Sequence, residues 1–180
     1  MKQLDGTGMK RLHREWRRRT EARLALVLDD VQGPFNVGSA IRTAAALRVE
    51  EVWLAGRTPD PTEGKVGKTA LGTDRYLTFH RVEDGPAAIR AAHAAGYRVI
   101  GIELADAAVP LHELAVGTAT CLVVGHEDRG LSTATLAGCD DVAYLPLLGR
   151  VGSLNVATAA SIALYEARRQ AWTATAPPPP

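Results

Sequence analysis

Short continuous apolar runs punctuate the chain, separated by segments whose apolar residues recur every three or four positions. Residues 24–28 (Leu-Ala-Leu-Val-Leu) read as a strand buried on both faces, because a half-exposed strand would alternate apolar with polar. The same signal returns at 51–54, 76–79, 97–102, 120–124 and 141–145. Helical patterns fill the intervals: 10–22, about 37–47, an alanine-rich 85–95 stopped by Gly96, 132 to about 137, and 153 to about 170. Asn36, Ser132 and Ser153 stand where helix N-caps are expected, since a short polar side chain can accept from the free N–H groups there. Residues 56–67 hold three glycines and two prolines and read as a loop. Strands alternating with helices predict an α/β fold, a mostly parallel sheet covered by helices on both faces. The organisation expected is a basic extension over 1–23, one body over 24–170, and a disordered or polyproline II tail over 171–180 that ends in four prolines.

Composition narrows the function classes. With 180 residues, 46% hydrophobic and 23% charged, the chain can build one ordinary core. Its net charge of +1 hides an asymmetry: residues 1–23 carry eight Lys/Arg against three acids, or +5, which leaves −4 for the rest. A basic amphipathic start on a slightly acidic body suits an anionic partner docking at one end, or a solvated helix. Cys121 lies in an apolar run and reads as a small buried hydrophobe; with Cys139 it forms no CxxC pair, and the five histidines are scattered, so neither disulfide nor metal is expected. The start of the chain lacks the apolar stretch of a signal peptide, and no run approaches the ~20 residues of a membrane span, which predicts a cytoplasmic protein.

Two nucleotide-binding patterns fail on inspection. Gly67-Lys68-Thr69 ends like a P-loop, but Thr62 stands at the first glycine position and Thr58-Pro59-Asp60-Pro61 replaces the preceding strand. Gly149-Arg150-Val151-Gly152-Ser153 is not G-x-G-x-x-G and follows the last strand rather than the first.

Three segments carry a stronger signal. They are Asn36-Val37-Gly38-Ser39-Ala40-Ile41-Arg42-Thr43-Ala44, then Leu122-Val123-Val124-Gly125-His126-Glu127-Asp128-Arg129-Gly130-Leu131-Ser132, then the stretch from Leu145-Pro146-Leu147-Leu148-Gly149 through Ser153-Leu154-Asn155 to Tyr165-Glu166. In order and spacing they resemble the three signature motifs of the SpoU/TrmH branch of the SPOUT methyltransferases, over roughly 24–170. The second motif often has Asn where this chain has His126. The resemblance implies a SPOUT fold with a deep C-terminal trefoil knot, a homodimer, S-adenosylmethionine as methyl donor without a metal, and methyl transfer to a ribose 2′-hydroxyl in RNA. The chain resembles compact tRNA-directed members, so tRNA is the first choice of substrate. A 23S rRNA substrate is the alternative, and a non-catalytic RNA-binding SPOUT protein the rival outside the class.

The same resemblance assigns roles. Arg42 matches the family's essential arginine, which acts on the ribose hydroxyl. A guanidinium with a pKa above ~12 suits a fixed cation beside a developing alkoxide better than a base. It follows Asn36 by six residues, a helical spacing read as giving roughly similar facing. Asn36, Glu127, Asn155 and Ser153 complete the expected catalytic set. Val124, Gly125, Leu145, Leu147, Leu154 and Ser153 would hold the cofactor. Plain structural alternatives exist: Asn36 as a cap alone, Glu127 paired with Arg129 or Arg150, Arg42 in a surface ion pair. Basic residues expected on RNA phosphates are Arg11, Arg14, Arg17 and Arg18 in the N-terminal helix, and Lys65, Lys68 and Arg75 after the second strand.

Overall fold

A computed structural model describes residues 2–174. Seven strands form one sheet: β1 (Arg23–Asp29), β2 (Glu51–Ala55), β3 (Thr78–Val82), β4 (Arg98–Ile102), β5 (Val109–Pro110), β6 (Ala119–Val124) and β7 (Asp141–Tyr144). Every pairing is parallel and the order is β3-β2-β1-β6-β4-β7-β5. The helices are α1 (Gly6–Arg17), α2 (Pro34–Ala46), α3 (Gly64–Ala70), α4 (Gly85–Ala94), α5 (Thr133–Gly138) and α6 (Val156–Ala174).

The continuous apolar runs are explained by burial from two sides. Leu24, Leu26 and Leu28 of β1 pack with Val37 and Ile41 of α2 and Leu164 of α6. Ala25 and Val27, pointing the other way, pack with Ala88 and Ile89 of α4 and with Cys121 and Val123 of β6. Cys121 is fully buried, and that burial pushes its thiol pKa well up, as befits a small hydrophobe.

Several boundaries differ from the sequence expectation. The basic helix runs over Gly6–Arg17, earlier than 10–22, with Asp5 as its cap. The end of the expected loop, from residue 64, begins α3, which runs on to residue 70 and ends on Leu71 in the left-handed region at φ 53°. The third strand begins at Thr78, after a 3-10 turn over Asp74–Tyr76. Gly33, not Asn36, caps α2, because Pro34 occupies the first turn, where its missing N–H costs nothing. Ser132 caps α5 as expected, by accepting from Thr135 N–H. At α6 the cap is Asn155 rather than Ser153: its Oδ1 accepts from the N–H of Ala157 (3.0 Å) and Thr158 (3.2 Å). Residues 171–174, expected in the tail, are the last turn of α6; the four prolines lie outside the described residues.

Arg168, on the inward side of α6, is 3% exposed and donates to three backbone carbonyls: Leu47, Arg48 and Ala22. Burial, with Arg48 nearby, lowers its pKa to about 10. This residue ties the end of α2, the approach to β1 and α6 together, and nothing in its local pattern distinguishes it from a solvated arginine.

Candidate active site

All seven strands being parallel, their carboxyl ends share one edge of the sheet, the edge where open α/β sheets present ligand groups. Three loops meet there: residues 30–33 after β1, 125–132 after β6 and 145–155 after β7.

A chain of hydrogen bonds joins them. Oε1 of Glu127 accepts from the backbone N–H of Gly33 (2.8 Å) and from Nδ2 of Asn36 (2.9 Å), and Oε2 accepts from Gln32 N–H (3.1 Å). Oδ1 of Asn36 accepts from Nδ2 of Asn155 (2.8 Å), whose own Oδ1 caps α6. One residue from each sequence motif therefore enters a single relay running from the α6 N-terminus to the β1 loop. Partial burial pushes the Glu127 pKa up, but the donors from Asn36, Gly33 and Gln32 outweigh it and hold the carboxyl below its ordinary range. Glu127 pairs with neither Arg129 nor Arg150 among the described residues; Arg129 instead reaches Asp30 (2.9 Å).

Beside the relay lies a cavity of about 550 Å³. Val124, Gly125, Leu145, Leu147, Ser153 and Leu154 line it, so all six expected cofactor-binding residues meet at one surface, together with Glu103 and Glu127. Gly125 is there for a steric reason. A Cβ at this position would lie 2.5 Å from the carbonyl carbon and oxygen of Gly130 and 2.7 Å from the Leu131 nitrogen. The β6 loop can fold back this tightly, with Gly130 N–H donating to His126 C=O at 2.9 Å, only without a side chain. Glu103 at the end of β4 braces the same loop by accepting from Leu131 N–H (2.9 Å), and sequence reasoning gave no hint of it. No group of three or more His, Cys, Asp or Glu suited to a metal occurs among the described residues.

Arg42 is exposed and, among the described residues, makes no ion pair or hydrogen bond. It does not share Asn36's facing. At 100° per residue, six residues turn the direction by about 240° and advance about 9 Å along the helix. It does not line the cavity but stands free for an incoming group.

The expected RNA contacts fall into two groups. Lys65 and Lys68 are exposed on α3, which packs on α2, the helix that carries Arg42. The close approach is marked by Gly38, where a Cβ would lie 2.6 Å from that of Thr69. Arg75 is exposed over the Tyr76 ring. Arg11, Arg14, Arg17 and Arg18 are exposed too, but α1 meets the far end of α6, where Trp16 and Trp172 lie 4.9 Å apart. Trp172 is seventeen residues from Asn155 along α6, or about 25 Å, so the structure does not bring this basic helix to the relay.

Residues 23–165 match the SpoU rRNA Methylase family, a span that takes in all three motifs but for the last residue of the third. The chain belongs to that family. It is 37% identical over 147 residues to the 23S rRNA (guanosine(2553)-2′-O)-methyltransferase RlmP of Bacillus subtilis, covering 82% of this chain and 58% of the relative. It is 31% identical over 155 residues to the tRNA (guanosine(18)-2′-O)-methyltransferase of Escherichia coli K12, covering 84% and 66%. Among solved structures, the SpoU methyltransferase AviRb of Streptomyces viridochromogenes, in complex with the cofactor AdoMet, superposes with a TM-score of 0.75 at 32% identity, covering 83% of this chain and 61% of that one. The chain thus spans somewhat less than two thirds of the length of each of these proteins. The α/β fold with an all-parallel sheet is the one shared with the AviRb methyltransferase structure.

Proposed function

We propose that this chain is an RNA 2′-O-ribose methyltransferase that takes S-adenosylmethionine in the cavity beside the relay, with tRNA as substrate and 23S rRNA as the alternative. The observation that carries this reading is the Glu127–Asn36–Asn155 relay, which joins the three family motifs and reaches that cavity at Glu127.

The cavity suits the donor. Its volume is in the range of small-molecule sites, and Val124, Leu145, Leu147 and Leu154 offer apolar walls for an adenine beside the polar Ser153 and Glu103. The hairpin that Gly125 permits leaves backbone groups at the cavity wall to bind it. S-adenosylmethionine supplies an electrophilic methyl on a sulfonium, so attack by oxygen neutralises charge and calls for no metal.

The protein's part is alignment and hydroxyl activation. Arg42 is the catalytic cation: unpaired and exposed, it binds the phosphate beside the target ribose and stabilises the developing 2′-alkoxide. Glu127 is a weak candidate for general base, because three N–H donors occupy its carboxylate and lower its pKa. Glu127, Asn36 and Asn155 act as positioning residues that fix the loops around the ribose, and Ser153 faces the donor. Lys65, Lys68 and Arg75 bind RNA phosphates near the site. Arg11, Arg14, Arg17 and Arg18 bind more distant RNA, or RNA on a second subunit.

The working form is a homodimer with a C-terminal knot. Supporting the knot, β7 lies between β4 and β5 while α6, which follows it, returns to pack on β6 and α2. The catalytic body is 24–170, and the reaction belongs in the cytoplasm with its RNA. Among the described residues no helix is long and apolar enough to cross a membrane.

The test is methyl transfer from labelled S-adenosylmethionine to unmodified tRNA and rRNA, followed by alkaline hydrolysis. Alkali cleaves through a free 2′-hydroxyl, so label in an uncut dinucleotide from tRNA is the expected result. Label only from rRNA moves the substrate to the alternative. Label on a base, or none despite donor binding, refutes ribose methylation and favours a non-catalytic RNA-binding protein.

A further inference from the structure

A second cavity, of about 440 Å³, opens on the other side of the β1 loop and is lined by Gln32, Pro34, Arg57, Thr58, Pro59, Glu63 and Arg81. We propose that it binds a nucleotide flanking the methylated one, with that nucleotide's phosphate held between Arg57 and Arg81. This inference rests on the RNA-substrate reading above and adds a site to it.

The arginines are built in, not loosely displayed. Arg57 meets Asp30 through two edges: Nε to Oδ1 at 3.2 Å and Nη2 to Oδ2 at 3.0 Å, with its backbone N–H also donating to Oδ1 at 3.1 Å. Arg81 donates from Nη1 to the carbonyls of Thr58 (2.6 Å) and Gly56 (3.3 Å). Thr58 itself is 1% exposed and locked to β1, accepting from Val31 N–H and donating to Leu28 C=O. Asp30 sits in the left-handed region at φ 56°, a cost that non-glycine residues carry only where surrounding bonds impose it. These bonds consume Nε and one Nη2 hydrogen of Arg57, and Nη1 of Arg81. A guanidinium has five N–H donors, so each arginine keeps donors without a partner among the described residues. Both side chains are exposed at the cavity.

Asp30 also couples this cavity to the first. Its Oδ2 accepts from Arg57 on one side and from Arg129, which lines the donor cavity, on the other. Gln32 lines the second cavity while its backbone N–H donates to Glu127. The loop 30–33 thus bonds residues of both cavities, Glu127 and Arg129 of the first and Arg57 of the second, so one RNA strand crossing it would meet the two in succession. Glu63 shapes what fits. Its Oε1 accepts from Asp60 N–H at 2.9 Å, and its charge opposes a bare anion. The same carboxylate can accept from a base N–H or a ribose hydroxyl, so a nucleotide suits the cavity better than free phosphate.

The test uses the full chain, fluorescently labelled unmodified bulk tRNA and rRNA, and a salt series. Arg81→Gln and Arg57→Gln are each expected to weaken RNA binding about tenfold, the loss of one charge-assisted contact. Each should also flatten the slope of log affinity against log salt by roughly 0.7–0.9. Arg57→Lys should keep most of the slope. S-adenosylmethionine affinity should stay within about twofold and the melting temperature close to wild type. Wild-type affinity and slope in both glutamine variants overturn the proposal. So does a loss of RNA binding that comes only with a fall in melting temperature and in donor affinity, since that marks a structural role. If the wild-type chain binds donor but no RNA, the substrate reading itself fails, which separates that failure from failure of the pocket.

Discussion

Gly125→Ala is the sharpest perturbation of the donor cavity. The new Cβ would lie 2.5 Å from the Gly130 carbonyl atoms and 2.7 Å from the Leu131 nitrogen, against an ordinary contact distance near 3.4 Å or more. Those neighbours are backbone and cannot rotate away, so the hairpin must open by close to an ångström. Two hydrogen bonds stand in the path of that movement: Gly130 N–H to His126 C=O, and Leu131 N–H to Glu103. Leaving two such groups unpaired costs about 1–3 kcal/mol each, so a total loss of roughly 2–6 kcal/mol is expected. In a domain of this size, at about 2–4 °C per kcal/mol, that is a fall in melting temperature of roughly 4–24 °C. Donor affinity, measured by calorimetry on the folded variant, should fall at least tenfold because the cavity wall has moved. Gly64→Ala is the control, since a Cβ there meets nothing within 4 Å. If Gly125→Ala melts within a degree of wild type and binds donor normally, the steric account of this glycine is wrong.

Three further outcomes are expected. Arg42→Lys should keep measurable methyl transfer while Arg42→Ala loses nearly all; equal and complete loss in both would replace the simple charge role with a requirement for guanidinium geometry. Arg168→Ala removes the donor to three buried carbonyls and should destabilise the fold by about 3 kcal/mol or more, read from chemical denaturation, with donor affinity at saturating folded protein little changed. Asp30, held by Arg57 and other donors, has its pKa lowered to about 2. A depressed carboxylate contributes stability that is complete above its unfolded value near 4 and is lost as pH falls through 2. Wild type should therefore lose about 1 kcal/mol more than Asp30→Asn between pH 4 and 2, the modest figure reflecting the exposure of Arg57. Parallel pH curves for the two proteins would refute this linkage.

The strands were legible because burial on both faces leaves a continuous apolar run, and 24–28, 51–54 and 120–124 each fall inside an observed strand. The helix starts were less so. The caps expected at Asn36 and Ser153 fall instead to Gly33 and Asn155, and Asn36 and Asn155 both spend their amides on the relay. Nothing local tells an amide that caps from one that bridges 119 residues. α3 stayed hidden because Gly64 and Gly67 lower helical propensity, and its packing on α2, which depends on the small Gly38, offsets that. The cofactor walls were readable only through the motifs, since a leucine at 145 or 154 looks like core. Arg168, Glu103 and the Arg57–Arg81 cavity were not readable at all. Each owes its environment to segments distant in sequence, and the exposed α1 arginines gave no sign that they dock 25 Å or so from the relay.

The position of β6 has a consequence for how the chain is made. This strand lies between β1 and β4, yet it is synthesised after both. Until residues 119–124 emerge, β1 can pair only with β2, and its other edge, apolar on both faces, stays open to any stray strand. A growing chain therefore passes through a stage in which a strand destined for full burial is also its stickiest. Slow translation between codons 30 and 119 would lengthen that exposure, and crowding of polysomes would make neighbouring nascent chains the nearest wrong partners.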